Sequence, residues 1–345
     1  MTTRLGAIVR HVANRSGSRP SDEQTPHYSL GEGHAAAGGD ALQQTPHYSA
    51  AAGEEGHAGG GDALQLPQGV LDAYVTDGYV LLDGLIPEDV LQRARDETWA
   101  VMGGSAPTVE GDPYQHLEQH GPVLESDRGT WPDGSGWHGL ADNATIAATV
   151  TPAFEAAAAQ LIRAMAAADA RPVDTCGVPG EHQAERLLFL NTFPQKDPGE
   201  WSFPEAGHVD VSLISLDRLA AQTPPRPGEV RRVVTIQTII YLGAAAVEGG
   251  GSTIVWPASH RMLRERHRER WEAAWAEPEP ADQLSVLREI SADAGVLTAA
   301  GSWDGEGPVE VVPKAGSVLF YDILCVHTGS ANVQTVPRLA VAQKW

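Results

Sequence analysis

The chain has 345 residues, of which 42% are hydrophobic, and its formal net charge is −21. That length is enough for one large domain or two small ones, and so acidic a surface makes nucleic acid and anionic membranes unexpected partners. Two cysteines, no apolar run of about 18 residues and no signal-peptide pattern predict a cytoplasmic protein without a disulfide framework or a transmembrane helix.

Residues 1–65 form a low-complexity segment that contains a tandem repeat. The sequence QTPHYS occurs at residues 24–29 and again at residues 44–49, and GDALQ closes each copy. The segment is rich in Gly, Ala, Ser, His and Gln and has almost no large aliphatic side chains. Because such a composition cannot offset the loss of chain entropy, it predicts a disordered tail.

The folded domain is predicted to cover residues 66–345, and it begins with helices. A short helix begins within residues 70–74, Asp77-Gly78 forms a turn, and a strand follows at residues 79–82. Pro87 starts a second helix, because its missing N–H costs nothing at that position. An Ala-rich helix with one apolar side is predicted over residues 152–168.

From about residue 185 the pattern changes to short β-branched or aliphatic runs bounded by Gly, Pro and Asp. A charged helix at residues 262–275 interrupts these strands and is expected to pack outside them. The order predicts a mainly β protein, a jelly roll with flanking α-helices. The predicted strands cover residues 186–193, 209–216, 231–242, 252–256, 310–312, 317–322 and 338–343.

A His-x-Asp triplet, His208 to Asp210, stands where one of these strands begins, and His327 follows about 120 residues later. Residues i and i+2 of a strand point to the same face, so both side chains of the triplet can point into a barrel. With His327 from a distant strand they form two imidazoles and one carboxylate, the ligand set of non-haem Fe(II) oxygenases.

Arg338 lies in an apolar C-terminal strand, where an inward-pointing guanidinium needs an anionic partner. Its planar fork matches a carboxylate. A dicarboxylic 2-oxo acid such as 2-oxoglutarate suits this arrangement, since one end can chelate the metal while the far carboxylate meets Arg338.

A rival metal site lies at His116, Glu118 and His120, whose two histidines are spaced i, i+4. The glutamate is in the wrong position for the HExxH motif, and the local sequence resembles a loop. A role in a lid over the substrate, together with residues 127–143, is the favoured interpretation of this stretch, with a plain surface loop as the alternative.

Four segments in order resemble the phytanoyl-CoA dioxygenase family of Fe(II)/2-oxoglutarate-dependent oxygenases. They are YVTDGYVLLDGLIPEDVLQRAR, AGHVD, GGSTIVWPASHR and KAGSVLFYDILCVHTGSANVQTVPR. The resemblance covers roughly residues 66–345. It implies a double-stranded β-helix, iron bound by His208, Asp210 and His327, and 2-oxoglutarate anchored by Arg338, with O2 as the oxidant.

The same resemblance assigns further residues. Thr253 and Ser330 match hydroxyl residues near the cosubstrate, although Ser330 is one position beyond the usual one. Ala258 replaces the glycine that is common in the signature loop GGSTIVWPASHR. Asp210 is retained, whereas halogenating relatives lack this carboxylate, which favours hydroxylation or a related oxidation over halogenation.

The substrate is predicted to be a small metabolite or an intermediate of secondary metabolism, bound by a monomer or a homodimer. Aromatic and imidazole side chains of two variable segments, residues 105–140 and 194–207, suit a partly apolar organic molecule. Two alternatives stay open: a cupin-like metalloenzyme that does not use 2-oxoglutarate, and a non-catalytic jelly-roll binding protein. The candidate substrate contacts are Tyr114, Trp137, His138, Trp201 and Phe203.

Overall fold

The computed structural model describes part of the chain, and the fold is given for that part. The chain divides into two units, Met1–Leu42 and Gln43–Trp345, and every described residue lies in the second. The described residues are 47–49, 64–101, 143–169, 185–189, 203–204, 207–209, 236–243, 248–276, 280–299, 303, 307–334 and 338–344.

Helices occur in two groups, one before the main run of strands and one within it. Those predicted near residue 70, after Pro87 and over residues 152–168 are confirmed, and the last has the predicted bounds. The helices of the described residues are α1 (Gln68–Asp77), α2 (Glu88–Val101), α3 (Ala144–Ala147), α4 (Pro152–Ala168), α5 (Ser259–Arg266), α6 (Arg268–Ala276) and α7 (Pro280–Ala299).

The strands of the described residues form two sheets. The larger has the order β1-β2-β7-β4-β9-β3 and the smaller the order β6-β5-β8. Every pair is antiparallel except β1 with β2. The strands are β1 (His47–Ser49), β2 (Tyr79–Asp83), β3 (Glu185–Phe189), β4 (Ile236–Tyr241), β5 (Thr253–Val255), β6 (Val309–Glu310), β7 (Val318–Asp322), β8 (His327–Gly329) and β9 (Ala340–Lys344).

Seven of these strands, β2, β3, β4, β5, β6, β7 and β9, overlap predicted strands. The strand predicted over residues 209–216 stays a prediction, because residues 210–216 lie outside the described residues, and Val209 is not part of a described strand. Strand β8 lies beyond the range predicted at residues 317–322, although His327 itself was expected to lie on a strand.

The larger sheet is covered by helices on one face. Alternate residues of its central strands, among them Phe320 and Val341, join the apolar side chains of α1, α2 and α4 in one buried cluster. Helix α4 contributes Phe154 and Leu161, and its start is capped by Thr151, whose hydroxyl accepts the N–H of Phe154 at 3.1 Å. The helical flank predicted from the sequence is therefore this layer.

The other face of the larger sheet packs against the smaller sheet. The intervening residues of the same strands, such as Leu319 and Ala340, share a buried cluster with Val255 and Val309 of the smaller sheet. Two sheets packed face to face, with helices outside, agree with the predicted combination of β-sheet and flanking helices. The complete jelly-roll connectivity stays a prediction, because it depends on residues 210–235, which are outside the described residues.

A second helical layer covers the outer face of the smaller sheet, and here the prediction was incomplete. Instead of one charged helix at residues 262–275, two helices, α5 and α6, meet at His267, whose Nε2 lies 3.1 Å from Asp293 Oδ2 of α7. Helix α7 is not among the predicted elements, although its apolar side chains recur at helical spacing. Its buried residues Val286, Ile290 and Ala294 pack in one cluster with Trp256 and Val209.

Strand β1 comes from the segment predicted to be disordered. Its residues pair in parallel with β2, His47 opposite Leu81 and Ser49 opposite Asp83, and Tyr48 packs against the helical core cluster. The prediction of a disordered tail therefore does not hold for these three residues, because edge pairing satisfies their backbone groups. Residues 1–46 and 50–63 lie outside the described residues. Within the described ranges, no helix is long and apolar enough to cross a membrane.

Candidate metal centre and cosubstrate site

The two histidines predicted to bind iron are direct neighbours across a strand pair. His208 N–H donates to the His327 carbonyl oxygen and His327 N–H to that of His208, each at 2.9 Å, so the two form an isolated antiparallel bridge. Directly paired residues project to the same side of a sheet. Their ring centroids are 4.7 Å apart, so the two imidazoles are close enough to bind the same metal ion.

His327 points into the space between the two sheets. It pairs with Val255, which belongs to the inter-sheet cluster, and its ring lies 4.7 Å from that of Tyr321 in the larger sheet. Only 5% of the residue is exposed. Its Nδ1 is 2.9 Å from the Cys325 carbonyl oxygen, which assigns the proton to Nδ1. The metal-binding lone pair is then on Nε2, as in most histidine metal ligands.

The third predicted ligand, Asp210, lies outside the described residues, as do the rival residues His116, Glu118 and His120. The described ranges contain no group of three or more His, Cys, Asp or Glu side chains that could hold a metal ion. What they contain is the paired imidazoles, and Asp210 comes two residues after His208. This donor chemistry fits iron, and the complete triad stays a prediction.

Arg338 occupies the same inter-sheet space. It precedes Ala340 by two positions in the chain, and Ala340 belongs to the inter-sheet cluster. The residue is 5% exposed, and its Cζ lies 5.7 Å from the ring centroid of Tyr241. The Tyr241 hydroxyl in turn donates to Thr253 Oγ1 at 3.0 Å. Arg338, Tyr241 and Thr253 therefore form one buried polar group beside the histidine pair.

Burial decides the charge states of this group. Desolvation lowers the pKa of Arg338, against an opposing effect of Tyr241, so burial penalises its positive charge. Desolvation also raises the pKa of Tyr241, which keeps the phenol protonated as a hydrogen-bond donor. A carboxylate bound here would offset the cost of the buried guanidinium, which is the chemistry expected of a 2-oxoglutarate site.

Of the remaining predicted contacts, the structure describes Ser330 and Phe203. Ser330 is buried, with its hydroxyl 3.0 Å from the Ala331 carbonyl oxygen and hydrogen-bonded to Glu310. Phe203 is 37% exposed. The other candidate substrate contacts, Tyr114, Trp137, His138 and Trp201, are outside the described residues. The roles of all these residues stay predictions.

The signature loop binds the backbone of the residue before His327, a role that the sequence did not predict. Ser259 Oγ accepts the N–H of Val326 at 2.8 Å, and Trp256 N–H donates to the Val326 carbonyl oxygen at 2.9 Å. Cys325 is fully buried, and desolvation raises its pKa, which agrees with a small apolar filler. Ser259, at the start of α5, was the available signal in the sequence, because serine hydroxyls there commonly bond to backbone groups.

Tyr241 was also missed. Two-residue alternation in the predicted strand at residues 231–242 places Gln237, Ile239 and Tyr241 on one face. That face is the inner one, because Ile239 and Tyr241 belong to the inter-sheet cluster. A tyrosine on the inner face of a buried strand needs a hydrogen-bond partner for its hydroxyl, and this was the available signal in the sequence.

Solved structures with low sequence identity resemble this fold. One is the non-heme alpha ketoglutarate dependent epimerase SnoN from nogalamycin biosynthesis (16% identity, 80% of this chain and 81% of that chain, TM-score 0.43). Another is the carbocyclase SnoK from nogalamycin biosynthesis (17% identity, 83% of this chain and 86% of that chain, TM-score 0.43). A third is EctD from S. alaskensis with 2-oxoglutarate and 5-hydroxyectoine (13% identity, 83% of this chain and 78% of that chain, TM-score 0.40).

Sequence comparison gives the family directly. No curated protein matches the chain significantly. The sequence model described as phytanoyl-CoA dioxygenase matches residues 74–340, which include both histidines, Thr253 and Arg338. Because this match spans most of the chain, the protein belongs to the phytanoyl-CoA dioxygenase family, a family of iron- and 2-oxoglutarate-dependent enzymes.

Proposed function

We propose that the protein is an Fe(II)- and 2-oxoglutarate-dependent oxygenase that acts on a small metabolite or a natural-product intermediate. The reaction is hydroxylation or a related oxidation of an unactivated C–H bond, with succinate and CO2 as coproducts. The observation that carries the proposal is the direct pairing of His208 with His327, whose rings are 4.7 Å apart although the residues are far apart in the chain.

Three residues would hold the iron. His208 and His327 supply imidazole nitrogens, and Asp210 supplies a carboxylate, which leaves several positions for other ligands. When bound, the iron together with 2-oxoglutarate and O2 supplies an oxidant strong enough to remove hydrogen from an unactivated carbon. The hydrogen bond from His327 Nδ1 to the Cys325 carbonyl fixes the orientation of the ring and would leave Nε2 available to the iron.

Arg338 would bind the far carboxylate of 2-oxoglutarate. Its guanidinium is rigid and already buried, so little conformational entropy is lost on binding. Thr253 accepts the Tyr241 hydroxyl proton, so its own hydroxyl proton can donate a second hydrogen bond to the cosubstrate. The retained Asp210 supports hydroxylation over halogenation.

The test measures iron and 2-oxoglutarate together. Protein purified without oxygen should bind one Fe(II) per chain, and with ascorbate and candidate substrates it should convert 2-oxoglutarate to succinate. His208→Ala should lose both properties. His267→Ala is the matched control, because that histidine contacts Asp293 in the outer helical layer and should keep both.

The outcomes separate the alternatives. A wild type that binds no iron would favour a non-catalytic binding protein and overturn the proposal. Iron binding without 2-oxoglutarate turnover, and without inhibition by the mimic N-oxalylglycine, would instead favour a cupin-like metalloenzyme that does not use this cosubstrate.

A further inference from the structure

Helix α7 contacts the backbone on both sides of His208. The Gly207 N–H donates to Thr298 Oγ1 at 2.9 Å, and Ser291 Oγ donates to the Val209 carbonyl oxygen at 3.4 Å. The two hydroxyl residues are seven positions apart, which is two helical turns, so they lie on the same face of α7.

The Thr298 hydroxyl links Gly207 to the helix itself. It accepts the Gly207 N–H and donates its own proton to the Ala294 carbonyl oxygen at 2.9 Å. Both Gly207 and Thr298 are buried, so water cannot replace this bond. The backbone N–H of Gly207, the residue before His208, therefore depends on one side chain of α7 for its hydrogen-bond partner.

The opposite side of Gly207 is also closed. A Cβ added there would lie 2.6 Å from Trp256 Cζ3 and 2.6 Å from Val326 Cγ1. Trp256 follows β5, and Val326 directly precedes His327. Gly207 is thus held between α7 and the segments that carry the distal histidine, so its position relative to His327 is determined from two sides.

Apolar packing keeps α7 in place for this contact. Ile290, Ala294 and Leu297 of the same helix are buried in one cluster with Val209 and Trp256. Because a shift of α7 would disturb this cluster, the helix holds the Thr298 hydroxyl in a fixed position next to Gly207.

We propose that Thr298 is a positioning residue for the metal centre, and that α7 determines where the His208 imidazole stands relative to His327. The inference rests on the proposed iron site and assigns part of its geometry to a helix that contributes no ligand. Ser291 assists from the other side of His208 with its longer bond to Val209.

The test uses Thr298→Val, which keeps the side-chain shape but removes the acceptor for the Gly207 N–H. Anaerobic titration with Co(II) reports both affinity and coordination geometry, through the visible ligand-field spectrum, without any turnover. We expect metal affinity to fall about tenfold, in the range found for the loss of groups that orient ligands. Thr298→Ser should restore it, because the hydroxyl returns.

Thr98→Val is the matched control. Thr98 is also a fully buried helical threonine, and its hydroxyl donates to the carbonyl four residues earlier, Ala94, at 2.7 Å, as Thr298 does to Ala294. It belongs to α2 in the other helical layer. Its loss should lower the melting temperature without changing Co(II) affinity or spectrum.

The outcomes are distinct. Wild type that binds metal and a Thr298→Val variant with the same affinity and spectrum would overturn the inference and leave the proposed function standing. A wild type that binds no metal would overturn both. If Thr298→Val does not fold, Ser291→Ala decides: a weakened affinity supports positioning by α7, and an unchanged one contradicts it.

Discussion

Arg264 and Asp322 form a buried ion pair, with Nη2 2.5 Å from Oδ2, which joins the helix after the signature loop to the strand before His327. Asp322 is 1% exposed, and its other oxygen accepts the Leu324 N–H at 2.9 Å. Arg264 also lies 3.2 Å from Asp169. The pair therefore connects both helical layers to the backbone that leads into the predicted metal ligand.

Arg264→Met should destabilise the protein by about 3–5 kcal/mol, because it leaves the Asp322 charge buried without its main partner. Urea unfolding measures the change. Arg93→Met is the control, since the Arg93–Asp89 pair is exposed and should contribute less than about 1 kcal/mol. Equal losses in the two variants would contradict the importance of the buried pair.

Arg338→Lys should raise the KM for 2-oxoglutarate at least about tenfold while iron affinity stays within about twofold. A lysine keeps the charge but loses the planar fork that can meet both carboxylate oxygens. Steady-state succinate formation measures the KM. Arg261→Lys, at an exposed position of α5, should change neither constant. A KM unchanged by Arg338→Lys would argue against this anchor.

Tyr241→Phe should weaken 2-oxoglutarate binding about fivefold, the effect of losing one hydrogen bond of about 1 kcal/mol. Thr253→Val should have a similar effect, and the double variant should be little worse than either, because the two hydroxyls act through one bond. Calorimetric titration without oxygen measures the three affinities. Strictly additive losses would show that the hydroxyls act separately.

Ala258→Gly should stabilise the protein by about 1 kcal/mol. Ala258 has a φ of 60°, in the left-handed region that costs a residue with a Cβ roughly this amount. The backbone conformation thus explains why glycine is common at this position of the signature loop. Ala159→Gly in α4 should show the opposite sign, because glycine weakens a helix by about 1 kcal/mol. Chemical denaturation of both variants measures whether the free energy of unfolding rises in the first and falls in the second.

His260 should make stability depend on pH in mildly acid solution. Desolvation lowers its pKa from 6.5 to about 4, and its Nε2 lies 3.1 Å from the Val75 carbonyl oxygen. The unfolded chain therefore binds a proton near pH 6.5, whereas the folded protein does so only near pH 4. The stability contributed by this neutral histidine is complete above pH 6.5 and is lost as the pH falls toward 4, by about 3 kcal/mol.

His260→Gln removes this titration while keeping a side-chain N–H for Val75. The variant should lose less stability than wild type between pH 6.5 and 4, as measured by urea unfolding at several pH values. Wild-type and variant curves that run parallel over that interval would refute the assignment.

Local sequence patterns predicted the local structure well. The Ala-rich pattern predicted α4 with its observed bounds, and alternation predicted most strands, because both depend on the period at which apolar side chains recur. The pattern around His267 did not show that the charged helix divides there. Helix α7 was not predicted, although Ile290 and Ala294, four positions apart, are buried on one face of it.

The sequence by itself determined the family, and with it iron and 2-oxoglutarate, and it predicted two histidines, an acid and an arginine as the residues that bind them. Only the tertiary structure decided which residues meet. It paired His208 with His327, set Tyr241 beside Arg338 and in contact with Thr253, and brought Thr298 to the Gly207 N–H. The physical reason is that spacing along the chain determines which face a side chain takes, whereas contacts between distant segments depend on how sheets and helices pack together.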